Sequence, residues 1–487
     1  MKYSKSIYRF SLLAIAVLLL FSCNATLETD ETTTDTTTTK EDLPNIIMLI
    51  GDDQGYPYFG FMGADYVHTP NMDSLAANGI IFTDGYVSDN HCRPSLQTLL
   101  TGILPIDFQK KNFGFMDEEM TKQGIPEDSA QAFKREFDIK AFGFSRFNTL
   151  PRMLAEKGYV SFQGGKWWEF NYQNGGFTHG MTKGWTEEEQ KTKNWFYEHM
   201  GGDGMDLARV TNQPAYDFLE ETSGQPFFMW FAPSLPHYPF DAPEKYYNLY
   251  KDEDMSESAK QYYANCTWFD DAWGELVAHL KGKGLYDNTL IIYVNDNGWE
   301  QDPKEEYWDD PNRSHNGGDK GKGSIYDMSF RSPIIFAWGD KIEKGRRTDA
   351  IIHSSDIPAT VLDYVGLDIP DDFYGVSYRS VIDGEKNKIR EFAQGNVVTT
   401  RSTKPGEVMG RHVEGYWVRK DNWFLRWHVT DNEVQLFDLS NDLRNNNDVS
   451  GENASAVEEL QNLAKAYKTE KGMDPRIAYY LDMKKKE

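Results

Sequence analysis

Ile46–Gly55 reads "IIMLIGDDQG", five large apolar residues that run through Gly51 into two adjacent aspartates. An unbroken apolar run of this length, closed by turn residues, reads as a strand covered on both faces, as in a parallel sheet. Four further runs share the pattern: Tyr159–Gln163 "YVSFQ", Phe227–Phe231 "FFMWF", Leu290–Val294 "LIIYV" and Ile334–Trp338 "IIFAW". Helical patterns lie between them over Thr69–Asn78, Thr149–Lys157, Asp206–Glu221 and Trp268–Leu280, and Asp356–Val365 follows the last run. Strands alternating with helices predict an α/β sandwich with a mostly parallel central sheet.

The texture changes after about residue 380. Gly415–Val429 "GYWVRKDNWFLRWHV" and Val434–Ser440 "VQLFDLS" read as antiparallel strands with a turn at Asp431–Asn432, and Val457–Lys468 reads as a final helix. These predict a smaller C-terminal α+β subdomain over 381–487, after a main domain over 43–380.

In open α/β sheets ligands bind beyond the carboxyl ends of the strands. Two strands here end in oxygen-bearing side chains, one in Asp52-Asp53 and the other, "LIIYVNDNG", in Asp296-Asn297. Adjacent carboxylates repel, so grouping them calls for a cation, and an all-oxygen donor set favours a hard divalent ion over zinc. Turn formation alone also places Asp, Asn and Gly after strands, but that does not account for both pairs with Cys92 between them. Cys92 opens "CRPSLQTLLTG", in which Pro94 suits a first helical turn and Gly102 a helix end. The thiol would then sit at a helix N-terminus, where the field favours negative charge.

With "PNIIMLIGDDQG", "CRPSLQTLLTG", "GGKWW", "LPHYPF", "GLYDNTLIIYVNDNG" and "KGSIYDMSFRSP" in this order, the chain resembles the arylsulfatase family of the alkaline-phosphatase-like superfamily. The resemblance runs from Pro44 to Asp448. It implies an alkaline-phosphatase-like sandwich and sulfate ester hydrolysis. It also implies that Cys92 is oxidised by a maturation enzyme to formylglycine, whose hydrate attacks sulfur in line. By the same resemblance Asp52, Asp53, Asp296 and Asn297 would hold Ca2+, in preference to Mg2+, against the nucleophile derived from Cys92. Lys166 and Lys322 would bind sulfate oxygens, and His237 would contact sulfate or protonate the leaving oxygen. His315 and Lys320 lie in the Gly-rich "RSHNGGDKGKG", which reads as a solvated loop, with a place facing the same cleft as the alternative, and Arg331 reads as structural.

Two positions depart from the family pattern. Leu96 stands where the family has an Arg that the maturation enzyme reads and that supports the formylglycine and the metal. Arg93 is a poor substitute, because a neighbouring residue on this turn points in a different direction. Trp168 stands where the family has a His, and an indole has no basic nitrogen to take a proton; His91 or His237 is left for that role. Three readings follow: a sulfatase still matured and active, a phosphodiester or phosphonate ester hydrolase on the same metal scaffold, or a catalytically impaired protein that binds sulfated glycans.

The formal net charge of −25 over 487 residues argues against a nucleic-acid partner, which needs a cationic face. The N-terminus reads as an address. Lys2, Lys5 and Arg9 precede the apolar Ser11–Phe21, and "LFSC" ends at Cys23. This resembles a bacterial lipoprotein signal over 1–22, with an ordinary secretory signal as the alternative. The acidic, Thr-rich 23–42 would be a solvated tether from acylated Cys23 to the envelope, facing the periplasm or lying at the cell surface. An exported sulfatase calls for a sulfated polysaccharide or its oligosaccharides as substrate. Trp167, Trp168, Trp299 and Trp308, in or near motif loops, are candidates for sugar stacking or for the core, and the Phe108–Phe147 insertion for the cleft rim.

Overall fold

The computed structural model describes residues 43–123, 140–307, 317–399, 413–429 and 431–477. The signal and tether (1–42), His315 and Trp308 lie outside the described residues.

The five apolar runs all become strands of one sheet. They are β1 (Asn45–Gly51), β3 (Val160–Gly165), β5 (Phe227–Ala232), β6 (Thr289–Asn295) and β7 (Arg331–Ala337). Four shorter or more polar strands join them: β2 (Ile80–Tyr86), β4 (His179–Gly180), β8 (Arg346–Thr348) and β9 (Ile352–His353). The order is β4-β3-β5-β1-β6-β7-β2-β8, with β9 paired to β2. All pairings are parallel except those of β7, which runs against both β6 and β2.

The continuous apolarity of β1 has its cause in two layers. Ile46, Met48 and Ile50 join the core on one face, while Ile47 and Leu49 join the core on the other. The first face is covered by the helices Cys92–Thr101, Leu150–Ala155 and Asp356–Tyr364, the second by Pro70–Ala77, Gln213–Glu221 and Glu257–Gly282. Each fully buried side chain of this kind contributes about 1.5–3 kcal/mol, so the central strands need no polar face.

The helix expected from Asp206 begins at Gln213, because Pro214 has no N–H to give a preceding turn and fits only the first turn of a helix. Phe108, Phe144 and Phe147 of the insertion are buried in the first core and so lie off the cleft rim.

The C-terminal sheet is antiparallel, in the order β10 (Phe392–Thr399), β11 (Val413–Lys420), β12 (Trp423–His428), β13 (Glu433–Asp438). The run expected as one strand over Gly415–Val429 is two, broken where Asp421 takes a left-handed φ of 51°. The expected turn at Asp431–Asn432 joins β12 to β13, and the last helix runs Ala454–Lys471. Among the described residues no helix is long and apolar enough to cross a membrane.

Candidate active site

The parallel pairing of β1, β3, β5 and β6 puts their carboxyl ends on one edge of the sheet, and each delivers a polar side chain there. Asp52 and Asp53 follow β1, Lys166 follows β3, His237 lies five residues past β5, and Asp296 and Asn297 follow β6. Strand β2 runs the same way as β6, so the loop after it brings Cys92 to the same edge. Strand β7 runs the other way, so its starting end lies there, and the loop before it carries Lys322.

Lys166 Nζ donates to both oxygens of Asp52 at 2.6 and 2.8 Å, and lies 4.0 Å from Asp296 Oδ2. Lys322 Nζ donates to both oxygens of Asp53 at 2.6 and 2.9 Å. Asn297 Nδ2 donates to Asp53 Oδ1 at 2.8 Å, and the backbone N–H groups of Asp53 and Asn297 both donate to Asp296 Oδ1, at 3.1 and 2.7 Å. All six side chains are buried. His237 Nε2 lies 3.5 Å from Asp53 Oδ2, and Asp52, Asp53 and His237 bring ligand atoms within 4.8 Å of one another.

Local backbone holds these groups in place. Asp53 has a φ of 61°, costly for a residue with a Cβ. Tyr262 fixes that turn by donating to Asp53 O at 2.8 Å and accepting from Gly55 N at 2.9 Å. Gly165, at φ 90°, lets Lys166 N reach Ala232 O at 2.7 Å, where a Cβ would stand 1.9 Å from that oxygen. The His237 loop is held by Asn265 Nδ2 on Pro236 O and Pro239 O (3.2 and 3.0 Å) and by Arg209 Nη2 on His237 O (2.7 Å).

Cys92 begins the helix Cys92–Thr101, and the loop before it is braced from two directions. Asn90 donates its Nδ2 to Ser324 O at 2.7 Å and accepts from Gly323 N at 3.1 Å, tying the loop to the one that carries Lys322. Asp89 accepts from His91 N at 3.1 Å and pairs with Arg476 Nη1 at 2.9 Å. Cys92 is 8% exposed, and burial pushes its thiol above the ordinary range even with Lys166 and Lys322 near, so the helix N-terminus does not make it a ready thiolate.

The charges are unequal. Three carboxylates, those of Asp52, Asp53 and Asp296, share the pocket with the ammonium groups of Lys166 and Lys322. Burial alone would raise Asp53, but Lys322, His237 and Lys166 hold it well below the usual carboxylate range. Burial and then the nearby Asp52 push Asp296 well above it. Burial works against both lysines, yet their carboxylate partners lift them above the usual amine range. Burial lowers His237 to about 4. Asp296 Oδ2 and Asn297 Oδ1 are buried acceptors without a hydrogen-bond partner. Buried polar atoms are rarely left so. Two unpartnered oxygens beside excess negative charge fit a hard divalent cation.

Other residues go elsewhere. Lys320 Nζ is turned to the C-terminal region, onto Arg444 O and Asn446 Oδ1 at 3.0 and 2.5 Å. Arg331 is buried against Asp84 and Asp327. His91 Nδ1 meets Asn90 Oδ1 at 2.7 Å, which leaves His237 as the imidazole on the acidic cluster. Trp167, Trp168 and Trp299 are buried and serve the core; Leu96 and Trp168 line one small cavity together with Lys166. Cys92 and Cys266 are both free thiols, in opposite layers of the sandwich.

Two features escaped the reading of the sequence. Arg93 is paired with Glu169, and Tyr238 presents a ring 44% exposed directly after His237. An acidic residue just past "GGKWW" and an aromatic inside "LPHYPF" were the available signals.

Residues 44–367 match the Sulfatase family, and residues 318–470 match a second family described as N-sulphoglucosamine sulphohydrolase, C-terminal. The chain is 24% identical over 469 residues to an arylsulfatase of Clostridium perfringens, covering 82% of this chain and 88% of that one. It is 24% identical over 415 residues to the N-acetylgalactosamine-6-sulfatase of Canis lupus familiaris, covering 78% and 73%. The solved complex of BT4656 with its substrate D-glucosamine-2-N,6-O-disulfate has a TM-score of 0.65 at 18% identity, covering 88% of this chain and 98% of that one.

Proposed function

The chain belongs to the sulfatase family and is a sulfuric ester hydrolase, and from that premise we propose that it removes sulfate from a sulfated polysaccharide or its oligosaccharides. The observation that carries the reading is the gathering of Asp52, Asp53, Asp296, Lys166, Lys322 and Cys92 on one edge of the sheet.

Cys92 supplies the nucleophile after conversion to formylglycine by a maturation enzyme, since burial leaves the unconverted thiol a poor nucleophile. Asp52, Asp53, Asp296 and Asn297 would hold a Ca2+ beside the converted Cys92. The ion supplies positive charge that eases formation of an anionic nucleophile and the growth of charge on sulfate. Lys166 and Lys322 reach the same space as permanent cations and bind sulfate oxygens as point charges. His237 approaches the ester from the side of Asp53.

A saccharide substrate is supported by the exposed Tyr238 ring beside His237, because one flat aromatic face suits the apolar face of a sugar. Two relatives act on amino sugars by their descriptions, N-acetylgalactosamine-6-sulfatase and BT4656. The same reading has the enzyme held at the bacterial envelope through acylated Cys23, supported by the apolar Ser11–Phe21 ahead of "LFSC".

The test is a sulfate-release assay across defined sulfated oligosaccharides, run on protein made in its native host, with the mass at Cys92 read in the same sample. The expected result is release from at least one saccharide together with an aldehyde at Cys92. An unmodified thiol with turnover of a phosphodiester, or saccharide binding with no turnover, would replace this reading.

A further inference from the structure

We propose that Arg93 and Glu169 are positioning residues that hold the Cys92 end of its helix in register with Lys166. The inference rests on the sulfate-ester reading above and deepens it. Arg93 directly follows Cys92, and Glu169 lies three residues past Lys166. Arg93 Nε donates to Glu169 Oε1 at 2.9 Å, and Nη2 donates to Oε2 at 2.8 Å. Gln97, one helical turn on, donates its Nε2 to Glu169 Oε1 at 2.8 Å. The Arg93 side chain is 16% exposed and that of Glu169 4%.

A two-pronged guanidinium–carboxylate contact fixes a plane as well as a distance, which a single hydrogen bond does not. Here the plane joins two segments that meet nowhere in sequence. One end is bonded to the residue that carries the nucleophile position. The other leads back through Trp168 and Trp167 to Lys166, whose Nζ is already fixed on Asp52 and whose N–H is fixed on Ala232 O. The contacts form a chain from one segment to the other: Cys92, Arg93, Glu169, Lys166, Asp52. Without the clamp, the helix end would rely on the bracing of the loop before Cys92 and could shift relative to the fixed lysine. A pair serving stability alone has no need to end beside two reacting groups.

The test uses the full chain and two variants that keep both charges while changing the reach of the fork, Glu169→Asp and Arg93→Lys. A misplacement near 1 Å predicts a kcat lower by roughly 10- to 100-fold on a sulfate ester, with KM within about twofold of wild type. A second readout needs no turnover. In protein expressed without a maturation enzyme, so that Cys92 stays a thiol, loosening the clamp predicts alkylation of Cys92 by iodoacetamide accelerated at least about tenfold. Cys266, buried in the other layer, stays unlabelled in the same sample. Wild-type kcat and wild-type labelling in both variants, with only a lowered melting temperature, would make the pair structural and overturn the proposal. Should wild-type protein release no sulfate from any ester, the functional reading fails and the labelling alone decides the clamp.

Discussion

Lys322 and Asp53 are 269 positions apart in sequence, yet the ammonium of one lies 2.6 and 2.9 Å from the two carboxylate oxygens of the other. The pair sits in the buried end of the pocket, where a charge is strongly felt and the cost of ordering it is met during folding. Lys322→Met is therefore expected to lower kcat/KM for a sulfate ester by about 100- to 1,000-fold. Lys322→Arg should recover little, because a planar fork does not replace a compact ammonium. Steady-state kinetics on both variants checks this, and a loss below tenfold in the Met variant would remove Lys322 from sulfate binding.

Asp296 Oδ2 and Asn297 Oδ1 are the unpartnered oxygens of the pocket. Chelation is expected to abolish sulfate release and lower the melting temperature, and added Ca2+ should restore both. At an ion concentration a hundred times its Kd the stabilisation should be about 2.7 kcal/mol. Asn297→Ala should need more Ca2+ for the same recovery, measured by thermal melts across a Ca2+ series.

Leu96 and Trp168 line one cavity, so the two departures from the family pattern are neighbours. Leu96→Arg alone crowds a third cation beside Arg93 and Lys166, where the carboxylate of Glu169 is already paired with Arg93, and should cost more than about 2 kcal/mol. Pairing it with Trp168→His opens room and adds an acceptor, and should return at least about 1 kcal/mol. Urea unfolding of the two single variants and the double variant gives the coupling directly. Strict additivity would show the two positions to be independent.

His353 supplies a pH dependence away from the active site. Its ring is buried, its Nδ1 accepts from Ser355 N at 3.2 Å, and burial, helped by Arg390, lowers it to about 3. In the unfolded chain an imidazole binds its proton near 6.5. Between those values the unfolded state holds the extra proton, so stability is full above pH 6.5 and falls as pH falls. One proton gives a slope of about 1.4 kcal/mol per pH unit. His353→Gln should flatten the stability curve by that amount between pH 6 and pH 4, read from urea midpoints.

What the sequence made legible follows from physics. Strands buried on both faces leave unbroken apolar runs, so β1, β3, β5, β6 and β7 were readable. Strand β2 was not, because Thr83, Asp84 and Gly85 interrupt it and its pairing with β7 shifts register there. The break at Asp421 was hidden inside a run of aromatic and basic residues that reads as one strand. At the site, the strand-end aspartates, Cys92 and the two lysines were found by position after strands and by motif. The partners Lys166–Asp52 and Lys322–Asp53 were not, since their separations of 114 and 269 residues follow from sheet topology. Glu169 has no pattern of its own; only the folded position of Arg93 gives it a role.

The brace between Arg476 and Asp89 also orders events in time. Its partners stand 387 residues apart, so a ribosome has delivered nearly the whole chain before the loop leading into Cys92 receives its last support. Until then that loop is one of the unfinished parts of the molecule, and the maturation proposed above would find it open in the nascent chain. Once the final turn docks, the same loop is closed from behind, and residue 92 settles into its mostly buried place at the pocket.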